Sequence, residues 1–226
     1  MNQISKSSNL SLVIALGIIV LAICCKPGRP GYVESIPFFN TAELTPEWIK
    51  TTDTKYKKIH RVAPFSFIDQ DSSVVTNATF DNHIYVTNFF FTTCPSICPK
   101  MTDNMIDIQE RFKSDDNVKL LSHTVTPWID TVQQLKKYAL EKKVISGKWH
   151  LVTGKQSEIY KQARVAYLIE GEMGLAKGED DFLHDEKFVL IDRKRRIRGY
   201  YNGITDSDIK RLIQDMETLL IPRVGE

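Results

Sequence analysis

One stretch constrains this chain more than any other: Phe89-Phe90-Phe91-Thr92-Thr93-Cys94-Pro95-Ser96-Ile97-Cys98-Pro99. Residues 84–91 are almost continuously apolar and rich in aromatic side chains, the pattern of a central strand covered on both faces. Beyond the cysteines, Met101, Met105, Ile108 and Phe112 recur at helical spacing. Proline is tolerated only in a first helical turn, so Pro99 sets the helix over 98–113. A buried strand that hands two cysteines to a helix predicts reactive sulfur at the end of a sheet, where sites in open α/β folds lie.

The flanking pattern extends this reading. Residues 60–69 and 74–76 read as a hairpin near the start of the domain, turning at Gln70-Asp71-Ser72-Ser73. Further strands are expected over 118–125, 148–152, 187–192 and 197–201, with a brief one at 167–169. Helices follow Asp130 or Thr131 to about Lys143, then cover 157–166 and 205–220. The acidic, Gly-containing stretch 171–185 has no period and reads as loop. The order of elements predicts a mixed central sheet flanked by helices, with an N-terminal hairpin.

The N-terminus reads as a tether. Residues 10–25 are apolar apart from Ser11, longer than most signal cores and shorter than most spanning helices. They end at Cys24-Cys25, followed by Lys26-Pro27-Gly28-Arg29-Pro30-Gly31, which cannot continue a helix. Two readings fit: a lipoprotein-type signal with Cys24 or Cys25 lipidated, or a single anchor helix. Leu21-Ala22-Ile23-Cys24 resembles a lipobox with Ile23 in the place of a small residue. Both readings put the remaining domain outside the cytoplasm on a membrane. The expected division is an anchor over 1–25, a linker over 26–59 with Trp48 able to dock, and a domain over 60–226. With 30 basic and 28 acidic residues the chain has no general case for binding nucleic acid.

Cys94 and Cys98 stand at i and i+4. On a helix that is a rise of about 6 Å along one face, within the reach of a disulfide or of one metal ion. Cys98 is expected at a helix N-terminus, where the dipole favours the thiolate. Two thiolates fall short of the four ligands of structural zinc but suit Cu(I), a soft ion of low coordination number. A histidine would complete a three-coordinate site, and the candidates are His60, His83, His123, His150 and His184. His123 and His150 fall in or beside strands, where a packed, hydrogen-bonded histidine is expected. His184 ends the 171–185 loop just before a strand and can stand at a sheet end.

At these residues the chain resembles the SCO/SenC family of thioredoxin-like, membrane-tethered copper proteins, over residues 60–220. Cys94-Pro95-Ser96-Ile97-Cys98-Pro99 resembles the family's CPxxCP motif. Thr126-Pro127-Trp128-Ile129-Asp130-Thr131 resembles its DPxxDT-like turn, and Leu151-Val152-Thr153-Gly154 a later strand and glycine. His184 precedes Leu190-Ile191-Asp192 by six residues, as the family's metal-binding histidine does. Ser96 replaces an acid common in the family, and Thr126 replaces the Asp before Pro127. The resemblance implies a thioredoxin-like fold. It implies copper, as Cu(I) or Cu(II), held by Cys94, Cys98 and His184. It also implies copper delivery to the copper-bearing subunit of cytochrome c oxidase, or reduction of that subunit's cysteines, with other copper chaperones or thiol reductants as further partners.

The alternative is an enzyme, a thiol–disulfide oxidoreductase that uses Cys94 and Cys98 as a redox pair. Such enzymes normally carry CxxC rather than CxxxC and place a proline opposite the dithiol. No proline occurs here between Pro127 and Pro222.

Overall fold

A computed structural model describes residues 36–178 and 181–221. The lipid-anchor expectation at Cys24 and Cys25 lies outside the described residues. In chain order the strands are β1 (Phe38–Phe39), β2 (Pro46–Glu47), β3 (Ser66–Asp69), β4 (Val74–Thr76), β5 (Ile84–Phe90), β6 (Val118–Thr124), β7 (Trp149–Thr153), β8 (Lys187–Ile191) and β9 (Ile197–Asn202). The helices are α1 (Cys98–Phe112), α2 (Val132–Glu141), α3 (Gln156–Lys161), α4 (Gly171–Leu175) and α5 (Asp206–Leu220).

All seven residues of β5 are buried, as its apolar run predicts. The strand lies inside a seven-stranded mixed sheet of order β4-β3-β7-β6-β5-β8-β9. β5, β6 and β7 are parallel neighbours, while β8 runs antiparallel to β5 and turns back into β9. The β3–β4 hairpin adds antiparallel to β7. Alternate side chains of β5 feed the two faces. Val86 and Phe90 pack with Met101, Met105 and Ile108 of α1, Leu135 of α2, and Leu212 and Met216 of α5. Tyr85 and Phe89 pack on the other face with Ile159, Tyr160, Ala163 and Tyr167. Each such large apolar side chain contributes about 1.5–3 kcal/mol when fully buried.

Three local differences from the sequence expectation have physical causes. Residues 167–169 are buried but form no strand. The Tyr167 carbonyl instead accepts the hydroxyl of Tyr200 at 2.9 Å, and the Tyr85 and Tyr167 hydroxyls meet at 3.2 Å. Inside the expected loop, α4 begins at Gly171, whose φ of +61° suits glycine. Arg164 holds this turn through Glu170 at 2.7 Å. The start of the stretch 36–59 packs on the domain, while residues 41–58 are exposed or half-buried. Ile36 and Phe38 are buried, and the Phe38 ring lies under the guanidinium groups of Arg196 at 4.8 Å and Arg198 at 4.1 Å. Trp48, by contrast, stays exposed.

Candidate metal and redox site

β5 ends at Phe90, and the next seven residues form the loop that carries the first cysteine into α1. The Cys94 amide donates to the Phe91 carbonyl at 3.3 Å, which closes a turn. α1 opens at Cys98 with Pro99 in its first turn. Ile97 occupies the cap position and supplies no side-chain acceptor. The backbone amides of Cys98, Ser96 and Ile97 and the Cys98 thiol instead act on the Cys94 sulfur and favour its anion. Both thiols are free and buried beneath exposed Pro95, Ser96 and Pro99.

The two sulfurs differ in acidity, and not in the sense expected from position. Burial acts to raise Cys94, but the amides and the neighbouring Cys98 thiol outweigh it and hold this thiol below the ordinary value. Burial pushes Cys98 up to about 12, reinforced by Cys94 and by Asp130 and opposed by a backbone contact from Phe91. The expectation that the helix N-terminus favours the Cys98 thiolate is corrected. The amides of Ser96, Ile97 and Cys98 favour the anion of Cys94 instead, while Cys98 is buried in the core cluster with Met101 and Met105.

Asp130 braces this loop from the other side, a role that the sequence reading missed. The carboxylate is buried, and its Oδ1 accepts the Thr92 hydroxyl at 2.5 Å. Its Oδ2 accepts the Thr92 amide at 3.2 Å and the hydroxyls of Thr124 at 2.5 Å and Thr126 at 3.1 Å. Gln134 donates to the Thr92 hydroxyl at 3.2 Å. Thr131, not Asp130, caps α2, accepting the Gln134 amide at 3.3 Å. The signal was three threonines, two of them close to the aspartate in sequence.

The other candidate donors are largely committed to structure. His123 is fully buried, stacked on Phe89 at 4.8 Å, with Nδ1 at 3.2 Å from the Thr87 hydroxyl. His150 Nδ1 bonds Asp69 at 2.8 Å, His60 Nε2 bonds the Ala166 carbonyl at 2.8 Å, and His83 Nδ1 bonds the Asp81 carbonyl at 2.7 Å. Met101 and Met105 are fully buried in the core.

His184 is exposed on the segment that leads into β8. Leu183 before it is fully buried, and Asp185 after it accepts the Lys187 amide at 2.7 Å. The Phe182 ring meets Phe91 edge-on at 5.9 Å, so this segment crosses the base of the cysteine loop. β5 and β8 pair Tyr85 with Ile191 and Thr87 with Val189. The structure thus brings the two sulfurs together and brings the His184 segment to the same end of the sheet. Among the described residues no three metal-donor side chains stand gathered in one cluster.

The SCO1/SenC family model matches residues 53–220. A Bacillus subtilis SCO1 protein homolog is 30% identical over 161 residues, covering 70% of this chain and 82% of that protein. A solved structure of BsSco, described as a member of the Sco family of cytochrome c oxidase assembly proteins with a disulfide switch, is 27% identical with a TM-score of 0.60. The match covers 73% of this chain and 96% of that one. Bradyrhizobium japonicum ScoI, solved with copper bound, shares the fold at 20% identity and a TM-score of 0.54, over 71% of this chain and 99% of its own.

Proposed function

This chain belongs to the SCO1/SenC family, and on that premise we propose that it is a copper metallochaperone for cytochrome c oxidase assembly. Its cargo is copper held by Cys94, Cys98 and His184, and its acceptor is the oxidase subunit that carries the binuclear copper centre. It works outside the cytoplasm from the membrane tether read in residues 1–25. The observation that carries this reading is the pair of free, buried sulfurs of split acidity at the end of β5. Copper-bound and oxidase-assembly relatives of the same fold support it.

The residues act in order. Cys94, the more acidic thiol, offers the first thiolate. Cys98 surrenders its proton as the ion arrives, because the cation replaces it as the compensating charge. The segment Phe182 to His184 then brings the imidazole onto the exposed side. Asp130 and its threonines hold the loop while the ligands exchange. Release follows when a partner thiolate displaces one donor at a time. Copper titration of the reduced protein should give one ion per chain, and the oxidised protein none. His184→Ala should lower affinity, and Cys94→Ser or Cys98→Ser should abolish tight binding. Unchanged affinity in His184→Ala would remove that residue from the ligand set.

A second reading, thiol–disulfide exchange, is favoured by the same split acidity and by the disulfide switch of BsSco. The Cys94 thiolate attacks a partner disulfide and expels one partner thiolate, which takes a proton. Cys98 then attacks the Cys94 sulfur and expels the second. The partner gains two electrons, and Cys94–Cys98 closes as a disulfide. His184→Ala separates the two readings, because only copper binding needs the imidazole.

A further inference from the structure

The dithiol loop lies between two other connections. In the strand order β6-β5-β8, the turn after β6 flanks the loop after β5 on one side. The segment before β8, which runs antiparallel, flanks it on the other. The turn after β6 is tight. The amides of Ile129 and Asp130 both donate to the Thr126 carbonyl, at 2.9 and 2.8 Å. Thr126 and Asp130 are buried at its base, and Asp130 grips Thr92 of the dithiol loop. Its apex is turned outward, and Trp128 and Ile129 stand 57% and 43% exposed. On the other side Phe182 rests edge-on against Phe91 and is still 47% exposed. Phe91 belongs to the dithiol loop, its carbonyl accepting the Cys94 amide. Between the two flanks Pro95 and Pro99 are exposed, each next to a buried cysteine.

Trp128 and Ile129 do not hold their turn together; the buried Thr126 and Asp130 do. Single apolar side chains scattered over a surface are ordinary, but a rim of them around a reactive centre marks an interaction site. The charges interleaved with this rim are matched within the chain. Lys100 reaches Asp206 at 3.2 Å, and Lys187 reaches Asp185 at 2.7 Å. Asp130 is buried under four donors. The rim therefore offers apolar area rather than charge, and its complement is an apolar surface rather than a strongly anionic or cationic one.

Delivery by ligand exchange sets a second condition. Copper passes as Cu(I): a partner thiolate forms its Cu–S bond, a sulfur of this chain gives up its own, and the freed sulfur takes back a proton. The incoming sulfur has to reach bonding distance of an ion held by two buried cysteines. The surface that carries it must therefore sit on the rim.

We propose that Trp128, Ile129 and Phe182 form a docking rim around the dithiol, and that its occupant is a folded protein whose acceptor cysteines are set in an uncharged, apolar surface. The inference rests on the copper-delivery reading and adds to it the chemistry of the partner's face. Trp128 is the anchor, because a large aromatic ring surrounded by smaller apolar contacts carries most of the binding at such interfaces. A small thiol covers none of the rim and gains nothing from it.

The test follows Cu(I) from the loaded full chain, held in neutral lipid nanodiscs, to the reduced, copper-free domain of the oxidase subunit that carries the binuclear centre. Dithiothreitol, a small uncharged dithiol, is the comparison acceptor. Trp128→Ser with Ile129→Ser should slow transfer to the domain about tenfold below saturation. Copper affinity, Tm and transfer to dithiothreitol should stay unchanged in that variant, and Trp128→Phe should recover most of the rate. Raising salt from about 50 to about 500 mM should change the wild-type rate less than about twofold. Unchanged transfer to the domain in the double variant overturns the proposal. A steep fall with salt overturns it too, by assigning recognition to charge. Equal slowing towards dithiothreitol would mean that the turn shapes the metal site itself, and would also overturn it. Cross-linking between two copies that the double variant abolishes would give the rim to a second copy of this chain instead. A wild-type chain that binds no copper, or hands none to the domain, overturns the functional reading and this proposal together. Delivery that the double variant matches overturns this proposal alone.

Discussion

Cys94 and Cys98 lie one helical turn apart, yet they hold their protons very differently. Three amides and a thiol stabilise the Cys94 anion, while burial in the core suppresses the Cys98 anion. Iodoacetamide labelling of the reduced protein between pH 7 and 9, mapped by mass spectrometry, should therefore modify Cys94 first and Cys98 at least tenfold more slowly, as for a thiol several pH units less acidic. Equal rates would mean that the amides do not reach the Cys94 sulfur. His123 gives a second residue-scale effect. Burial among Phe67, Phe89 and Tyr167 lowers its pKa from 6.5 to about 3. The unfolded chain then binds the extra proton between those values, so the stability this neutral ring allows is complete above about 6.5 and is lost as pH falls towards 3. The loss is about 1.4 kcal/mol per pH unit. Urea unfolding of the protein and of His123→Gln should show the difference between their stabilities shrinking below pH 6.5. A difference that stays constant down to pH 4.5 would mean that the ring is already charged in the fold.

At the scale of elements, the dithiol loop is held by a carboxylate from a different connection. Asp130 joins the end of β5 to the end of β6 through Thr92, Thr124 and Thr126. Asp130→Ala leaves several buried donors unsatisfied, so it should destabilise the fold by about 3–5 kcal/mol. It should also raise the labelling rate of Cys98, because the loop that covers that sulfur loosens. Destabilisation without faster Cys98 labelling would make Asp130 a general brace rather than a brace of the site. This link also marks where sequence reading stops. β5 and α1 are legible because apolar periodicity and Pro99 act over a few residues. The Asp130 bond to Thr92 spans 38 residues and leaves no periodic trace. Residue 130 therefore reads as one of two possible helix caps, and only the fold reveals that Thr131 took the cap. The burial of Ile36 and Phe38 is hidden for the same reason. Their partners, Arg196 and Arg198, lie about 160 residues away.

For the whole molecule, one end of the sheet gathers sulfur and brings up the His184 segment. The proposed ligand site therefore rests on three parts of the chain that only folding brings together: the loop after β5, the first turn of α1, and the segment before β8. A metal bound by all three must favour the native state over the unfolded chain, in which these donors are far apart. With free copper at 100 times the dissociation constant, linkage predicts about 2.7 kcal/mol of added stability. For a domain of this size that is a rise of about 5–10 °C in Tm. Thermal unfolding of the reduced protein should show this rise, reduced somewhat because unfolded thiols also bind the ion. The oxidised protein should show none. In His184→Ala the rise should shrink without vanishing, since the dithiol is local in sequence and the imidazole is the proposed donor that would tie the segment before β8 to the loop after β5. An equal rise in reduced and oxidised protein would place the copper elsewhere. An equal rise in His184→Ala would take the imidazole out of the ligand set and assign the whole stabilisation to the two sulfurs.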